Sequence, residues 1–438
     1  MKILIVSYES WRDTNNGGNV LSNIFCAMPD AEIAQIYCSG ETPQNSVCRK
    51  YFQISDTMLL RRPGGRALEE RDYGSDGGDQ SDVAENRIKS RIPGALRHAS
   101  LFARELRWTV FDWRTPQLDS FIADFAPDVI FAPCYSFYHV SKLALYVKKV
   151  AGCPMISYIS DDNYSLKQFY FSPSFWINRI ITRKWIRRLF AECSLIYTMT
   201  RAQLVEYEAI FHRPMKILCK SASFDEQKSA VGDPIRFIYA GGLYLNRWRV
   251  LAELAKAFGE INADGVRMRL DIFSGTKLSA GKMKRLADGR NSVFCGQIPY
   301  GELVEEYNKA DVAILVEAFD LRNRLATRLS FSTKIIDCLN SGCAILAIGP
   351  DSQAGLSYLR ENDAAICVGS IGDLPSAVKM ISEHPELIPE YSRKAAGLGK
   401  KNHMKDDIER MIRQDFIDVV NNAPIPDPGS DPDRRDSI

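Results

Sequence analysis

Histidine is scarce in this chain: there are five, and none follows directly on a strand-like run, so chemistry built on converging histidines is not expected. The eleven cysteines form no Cys-x-x-Cys pair and no Cys/His spacing of a zinc site. Several of them (Cys26, Cys134, Cys193, Cys343) lie inside apolar runs, where a reduced thiol packs as a small hydrophobe. No stretch approaches the roughly 18 apolar residues of a membrane-crossing helix. Met1 to Val6 reads as a strand rather than a signal peptide, which points to the cytoplasm. A net charge of +2 removes the general nucleic-acid binder. The Asp-x-Asp pattern occurs once, at Asp431-Pro-Asp433, inside a Pro/Asp/Gly-rich stretch, so no metal or cofactor is expected.

What is present is a globular composition, 45% hydrophobic and 25% charged, over a length that suits two domains. Strand-like runs alternate with helical periodicity almost throughout. In the first half the strands are expected near Lys2–Tyr8, Ile33–Tyr37, Asp128–Ala132, Pro154–Ile159 and Ser194–Thr198. In the second half they fall near Arg236–Ala240, Met268–Phe273, Ser292–Phe294, Val312–Val316, Ala344–Ile348 and Ala365–Val368. Alternation of this kind predicts α/β architecture with two doubly wound parallel sheets. Residues 1–221 read as one Rossmann-like domain and 222–405 as another, with a helix at 406–420 returning to the first. Residues 61–90, poor in large apolar side chains, read as a mobile insertion, and 421–438 as a disordered tail.

Two segments carry the chemistry. In Ser332-Thr333-Lys334-Ile-Ile-Asp337-Cys-Leu-Asn-Ser-Gly342, Ser332 or Thr333 can cap a helix whose free N–H groups attract an anion. Lys334 opposes the helix dipole there, which suggests an anion between the two. Asp337, one turn on, can accept hydrogen bonds from a ribose. An ordinary capped helix on a sheet would show the same pattern. The second segment is the strand Ile235–Ala240 followed by Gly241-Gly242 and then Arg247-Trp248 at a helix start. Glycines after a strand let backbone approach a ligand closely, and an arginine forks to phosphate. Two such βα loops meet at one crevice in a doubly wound sheet.

This order resembles the retaining glycosyltransferases of the GT-B fold, family-4 type, with a capsule or exopolysaccharide subgroup as a variant. Gly17-Gly18 after the first strand looks like that family's glycine loop, and Asp128-Val-Ile-Phe like its Asp-Val strand. Gly241-Gly242-Leu-x3-Arg247 is similar to its diphosphate loop. Gly296-Gln297-Ile298-Pro with Tyr307-Asn-Lys-Ala-Asp-Val-Ala is similar to a further conserved segment of the family. Ser332 to Gly342 matches its nucleotide helix. The departures are that the second motif glutamate is Asp337, the first falls at Leu329, and the arginine usual after the loop glycine is Gly242. Glu317 could replace the missing acid, and Arg322, Arg324 or Arg328 the missing charge.

The resemblance implies two facing Rossmann-like domains around a central cleft, an N-terminal one for the acceptor and a C-terminal one for a nucleotide diphosphate sugar. The implied reaction is transfer of a hexose to a saccharide or lipid-linked acceptor, with retention and without metal, in surface polysaccharide or glycoconjugate synthesis. It places Arg247, Lys334 and the N–H groups of Ser332 and Thr333 at the diphosphate and Asp337 at the ribose. Gln297 and Ile298 would meet the base and Glu317 the donor sugar. The acceptor would lie near Gly17, Gly18 and Asp162, with Asp162 a candidate base. The basic, aromatic stretches 91–113 and 175–188 suit an anionic membrane surface. A lipid-linked acceptor would bring the chain to the inner face of a membrane as a peripheral protein. The rival readings are a non-catalytic nucleotide-sugar-binding protein with a degenerate site, and a sugar-nucleotide epimerase.

Overall fold

The computed structural model describes residues 1–13, 16–61, 64–68, 94–224 and 231–422. They form two compact units. The first comprises residues 1–199, 203–218 and the chain from Asp406, and the second residues 200–202 and 219–405. The chain thus leaves the first unit, builds the second, and re-enters the first through the helix Lys405–Val420.

The first unit holds an eight-stranded sheet. Its strands are β1 (Lys2–Ser7), β2 (Glu32–Tyr37), β3 (Lys50–Gln53), β4 (Arg66–Leu68), β5 (Val129–Pro133), β6 (Met155–Ile159), β7 (Leu195–Thr198) and β8 (Met215–Ile217), in the order β4-β3-β2-β1-β5-β6-β7-β8. All neighbours are parallel except β3 and β4, which are antiparallel. The second unit holds a six-stranded parallel sheet. Its strands are β9 (Ile235–Ala240), β10 (Met268–Phe273), β11 (Ser292–Gly296), β12 (Val312–Val316), β13 (Ala344–Ile348) and β14 (Ile366–Val368), in the order β11-β10-β9-β12-β13-β14. β12 and β13 are buried at every residue, as expected where helices cover both faces of a parallel sheet. In each sheet the winding reverses beside the first strand, between β1 and β5 and between β9 and β12. These are the points where doubly wound sheets bind ligands, beyond the C-terminal strand ends.

Local chemistry explains the helix starts. Thr115 accepts from the Leu118 N–H with Pro116 in the first turn, and Ser172 accepts from the Phe175 N–H ahead of Pro173. The returning helix is fixed by a buried carboxylate: Asp415 accepts from the Tyr197 hydroxyl at 2.7 Å and from the Lys216 ammonium. Phe416 of the same helix packs on Phe25 and Phe131.

Several expectations need correction. The segment 61–90 is not wholly a loop: the helix Asp56–Arg61 ends in it, and Arg66–Leu68 pairs with β3, while residues 69–90 lie outside the described residues. Three short strands (β3, β4, β8) and the helices Pro116–Phe125 and Leu321–Thr327 were not foreseen. The basic stretches are the helices Gly94–Val110 and Pro173–Ala191. Most of the proposed tail, residues 423–438 with Asp431 and Asp433, lies outside the described residues. Among the described residues no helix is long and apolar enough to cross a membrane.

Candidate functional site

At the switch point of the second sheet, β9 ends in Gly241, whose φ of +146° a side chain would strain. A Cβ there would also come within 2.2–2.3 Å of the Lys334 side-chain end, so the missing side chain is the space the lysine occupies. The Lys334 ammonium lies 3.4 Å from the Tyr239 hydroxyl, which itself donates to the Gly242 carbonyl at 2.7 Å. Tyr244 lies across Gly242, which has no Cβ to obstruct it. The chain then passes through Leu245 and Asn246, both with positive φ, into the helix Arg247–Ile261.

The Arg247 Nη2 donates to both Glu317 carboxylate oxygens at 2.9 Å. Glu317 follows β12, and its N–H is fixed to the Ile348 carbonyl of β13 at 2.8 Å. Both side chains are about nine-tenths buried. The Nε of Arg247 is buried without a hydrogen-bond partner among the described residues. Two cations against one carboxylate leave a positive surplus, and an unspent donor, at the ends of β9 and β12. Burial and the charge of Arg247 pull the Lys334 ammonium down from 10.5 to about 8, with Glu317 opposing. Arg247 is held up by Glu317 against the effect of burial.

Asp337 lies in the short helix Lys334–Leu339 and accepts from the Lys220 ammonium at 2.6 Å through one oxygen. Gln297 and Ile298 follow β11, the outer strand on the other side of β9, and Gln297 packs against Gly275, where a Cβ would meet its Oε1 at 2.3 Å. Ser332 and Thr333 precede the helix, but neither acts as the foreseen cap. Thr333 stands at the cap position in helical conformation and makes no side-chain capping bond, because the chain enters the helix already wound. Leu329 is core, 3% exposed, so no acid could stand there without rebuilding the packing.

The first unit presents its own switch point. Gly17 and Gly18 open the helix Asn16–Phe25 and pack on the loop after β1; a Cβ on Gly17 would lie 2.2 Å from the Glu9 carboxylate. Burial and the nearby Glu41 push the Glu9 carboxyl above its ordinary range, against the N–H of Gly17. The helix N-terminus is thus met by this chain's own acid.

Asp162 is held within the fold and is not presented as a base. It is 4% exposed and accepts from the Ser165 N–H and hydroxyl and from the Tyr207 hydroxyl, with Arg179 beside it. Its carboxylate ties the loop after β6 to two helices. Asp162→Ala is expected to lower stability by about 1–3 kcal/mol while leaving nucleotide affinity unchanged. Thermal melting and a nucleotide titration check this together.

No family model matches the chain. No curated protein matches it. Solved structures do. A UDP complex of Anabaena HepE shares 11% identity over 95% of this chain and 100% of that one, with a TM-score of 0.60. The E. coli trehalose-6-phosphate structure bound with UDP-2-fluoro glucose shares 10% over 95% and 99%, with a TM-score of 0.59. The trehalose 6-phosphate synthase of Burkholderia multivorans shares 11% over 96% and 97%, with a TM-score of 0.57.

The fold is that of GT-B glycosyltransferase structures. On this GT-B frame, the foreseen Arg247, Glu317, Lys334, Gly241 and Gly242 come together in the second unit. Sequence reasoning missed Tyr239 and Tyr244, which looked like strand and turn aromatics, and Lys220, which is 117 residues from its partner Asp337. It also missed a buried group in the first unit, where His139 Nδ1 lies 2.7 Å from Glu105 and stacks on Trp108. Only an acid and an aromatic three residues apart on one helix face hinted at it.

Proposed function

We propose that the protein is a glycosyltransferase that moves a hexose from a UDP-sugar to a saccharide or lipid-linked acceptor, with retention and without metal, in surface polysaccharide or glycoconjugate synthesis. The observation that carries this is the Arg247–Glu317–Lys334 cluster at the β9/β12 switch point, cationic in surplus and with one arginine donor unspent. The neighbours in fold that hold UDP supply the nucleotide.

Breaking the bond between the sugar carbon and the diphosphate leaves negative charge on the leaving oxygens. Fixed cations in a site of low dielectric stabilise that charge more in the transition state than in the ground state. Arg247 and Lys334 take this role, and Glu317 holds the arginine in place until the diphosphate arrives. The free oxygen of Asp337 receives a ribose hydroxyl, and Gln297 and Ile298 edge the base. Asp162 is given no part in proton transfer. The leaving phosphate accepts the acceptor proton. The membrane part of the reading is supported by exposed apolar side chains on and beside the two basic helices: Phe171 at 89%, Val110 at 76% and Ile180 at 61%.

The test is a calorimetric titration of UDP, GDP, dTDP and ADP into wild-type protein and Lys334→Ala without divalent metal. Selective UDP binding that the substitution weakens is expected, and no binding of any of the four would leave a fold without the activity.

A second expected outcome concerns pH. With its pKa near 8, Lys334 sheds its proton as pH rises through that value, so UDP affinity should fall there. At about pH 9 binding should take up protons, read as a dependence of the heat on buffer ionisation enthalpy and absent in Lys334→Ala. The same depression costs folding stability below about pH 8, and that cost is relieved as pH rises from about 8 to 10.5, where the unfolded chain still holds this proton.

A further inference from the structure

The helices Gly94–Val110, Tyr138–Ala151 and Pro173–Ala191 pack on one another in the first unit. At the C-terminal end of the first of these helices they and the residues that follow it line a half-open cavity of about 250 Å3. Its wall is largely aromatic, with Trp108, Trp113, Tyr146 and Trp185, and three charged side chains also line it: Lys142, Arg114 and Asp112.

Trp108, Trp113 and Tyr146 are held by contacts within the chain, and Arg188 lies over the Trp185 ring at 4.8 Å. Trp108 donates to Asp56 at 2.7 Å and stacks on His139. Trp113 meets Tyr146 edge to face at 5.4 Å, and the Tyr146 hydroxyl is bonded to Asp119. Lys142 differs from the other charged groups there, Asp112 and Arg114, which are paired with each other. It has no hydrogen bond or ion pair among the described residues, and its contact is the Trp185 ring at 5.6 Å. The nearby acids are committed: Asp112 to Arg114 at 2.8 Å, and Glu105 to His139 and Arg104. Burial and the charge of Arg114 draw the Lys142 ammonium below its ordinary range. A mere packing gap is apolar and stays dry, whereas this cavity is lined in part by charged side chains. A half-buried ammonium without an acid is a standing cost that an anion removes. Indole faces accept the C–H face of a sugar ring, and preformed clefts with a few polar groups are where small ligands bind.

We infer that this cavity is a subsite for one sugar ring that carries an anionic group, with the anion on Lys142 and the ring against Trp185 and Trp113. It shares no residue with the Arg247–Lys334 cluster. It rests on the saccharide-transfer reading above and adds to it that the acceptor chain is acidic.

The experiment is titration of a galacturonate trisaccharide into the full-length protein, followed by tryptophan fluorescence, since three of the six tryptophans line the cavity. Maltotriose is the neutral control, with inorganic phosphate and phosphatidylglycerol vesicles as further arms. The expected result is saturable quenching by the acidic trisaccharide, at least tenfold tighter than maltotriose. Lys142→Met should abolish that preference and Trp185→Leu should weaken both saccharides, with UDP affinity unchanged. Should Lys142→Met not melt cooperatively, Lys142→Arg, which keeps the charge, should retain the preference. Equal binding of acidic and neutral saccharide to wild type overturns the inference. So does binding indifferent to both substitutions, or Lys142-dependent binding confined to vesicles or to inorganic phosphate. UDP binding in the same samples reports on the donor site separately, so failure of the transferase reading is distinguishable from failure of this one.

Discussion

Lys334→Ala is expected to slow sugar transfer roughly 30- to 1000-fold, equivalent to about 2–4 kcal/mol of transition-state stabilisation. Lys334 is the cleaner probe of the two cations. It has no carboxylate bonded to it, so its removal subtracts a positive charge without leaving an acid unpaired. Arg247→Ala removes a similar charge but strands Glu317, mixing a catalytic loss with a folding loss. The single-turnover rate and UDP affinity should be measured together. A transition-state role lowers the rate more than it weakens UDP binding, because charge on the leaving diphosphate is largest after the bond has stretched. Wild-type-like turnover in both variants would defeat the assignment.

The largest stability effect should come from Glu317→Ala. Arg247 is about nine-tenths buried and its guanidinium faces one carboxylate, so removing the acid leaves a buried charge uncompensated. Breaking such a pair costs about 3–5 kcal/mol. The distinctive part of the expectation is rescue: a diphosphate supplies the negative charge that Glu317 gave. Added UDP should therefore raise the melting temperature of Glu317→Ala more than it raises that of the wild type, through ligand binding to the folded state alone. A variant that melts like the wild type, or one that UDP stabilises no more than the wild type, would show that the pair does not carry the charge balance of the site.

Much of the second unit was legible in the sequence because its signals are long and local. β12 and β13 are continuous apolar runs, and the helix Arg247–Ile261 has a regular buried face. Gly241 and Lys334 were legible too, but only as separate hints. That a lysine lies where the glycine lacks a side chain is a relation between residues 93 apart, and local periodicity cannot carry it. The misreadings share a cause. β3 and β4 are four and three residues long, too short for an alternating pattern to register. The helix Pro116–Phe125 did carry a signal, Thr115-Pro116 followed by Leu118, Ile122 and Phe125, which the strand-like run after it obscured. Asp162 entered as a candidate base through the resemblance alone, since acids at a strand end more often cap or face solvent. Its partners Tyr207, Ser165 and Arg179, two of them well downstream, give it a structural tie that local sequence could not reveal.

The return of the helix Lys405–Val420 to the first unit also sets an order in time. As the chain leaves the ribosome, the surface formed by Phe25 and Phe131 waits for Phe416, which is made after the second unit. The second unit can close its sheet before the first is complete, although the first is begun earlier. A chain that stopped near residue 400 would carry the whole Arg247–Glu317–Lys334 cluster but leave Tyr197 and Lys216 without Asp415. Such a truncated product would expose an unfinished apolar face, which quality control recognises without any change at that cluster.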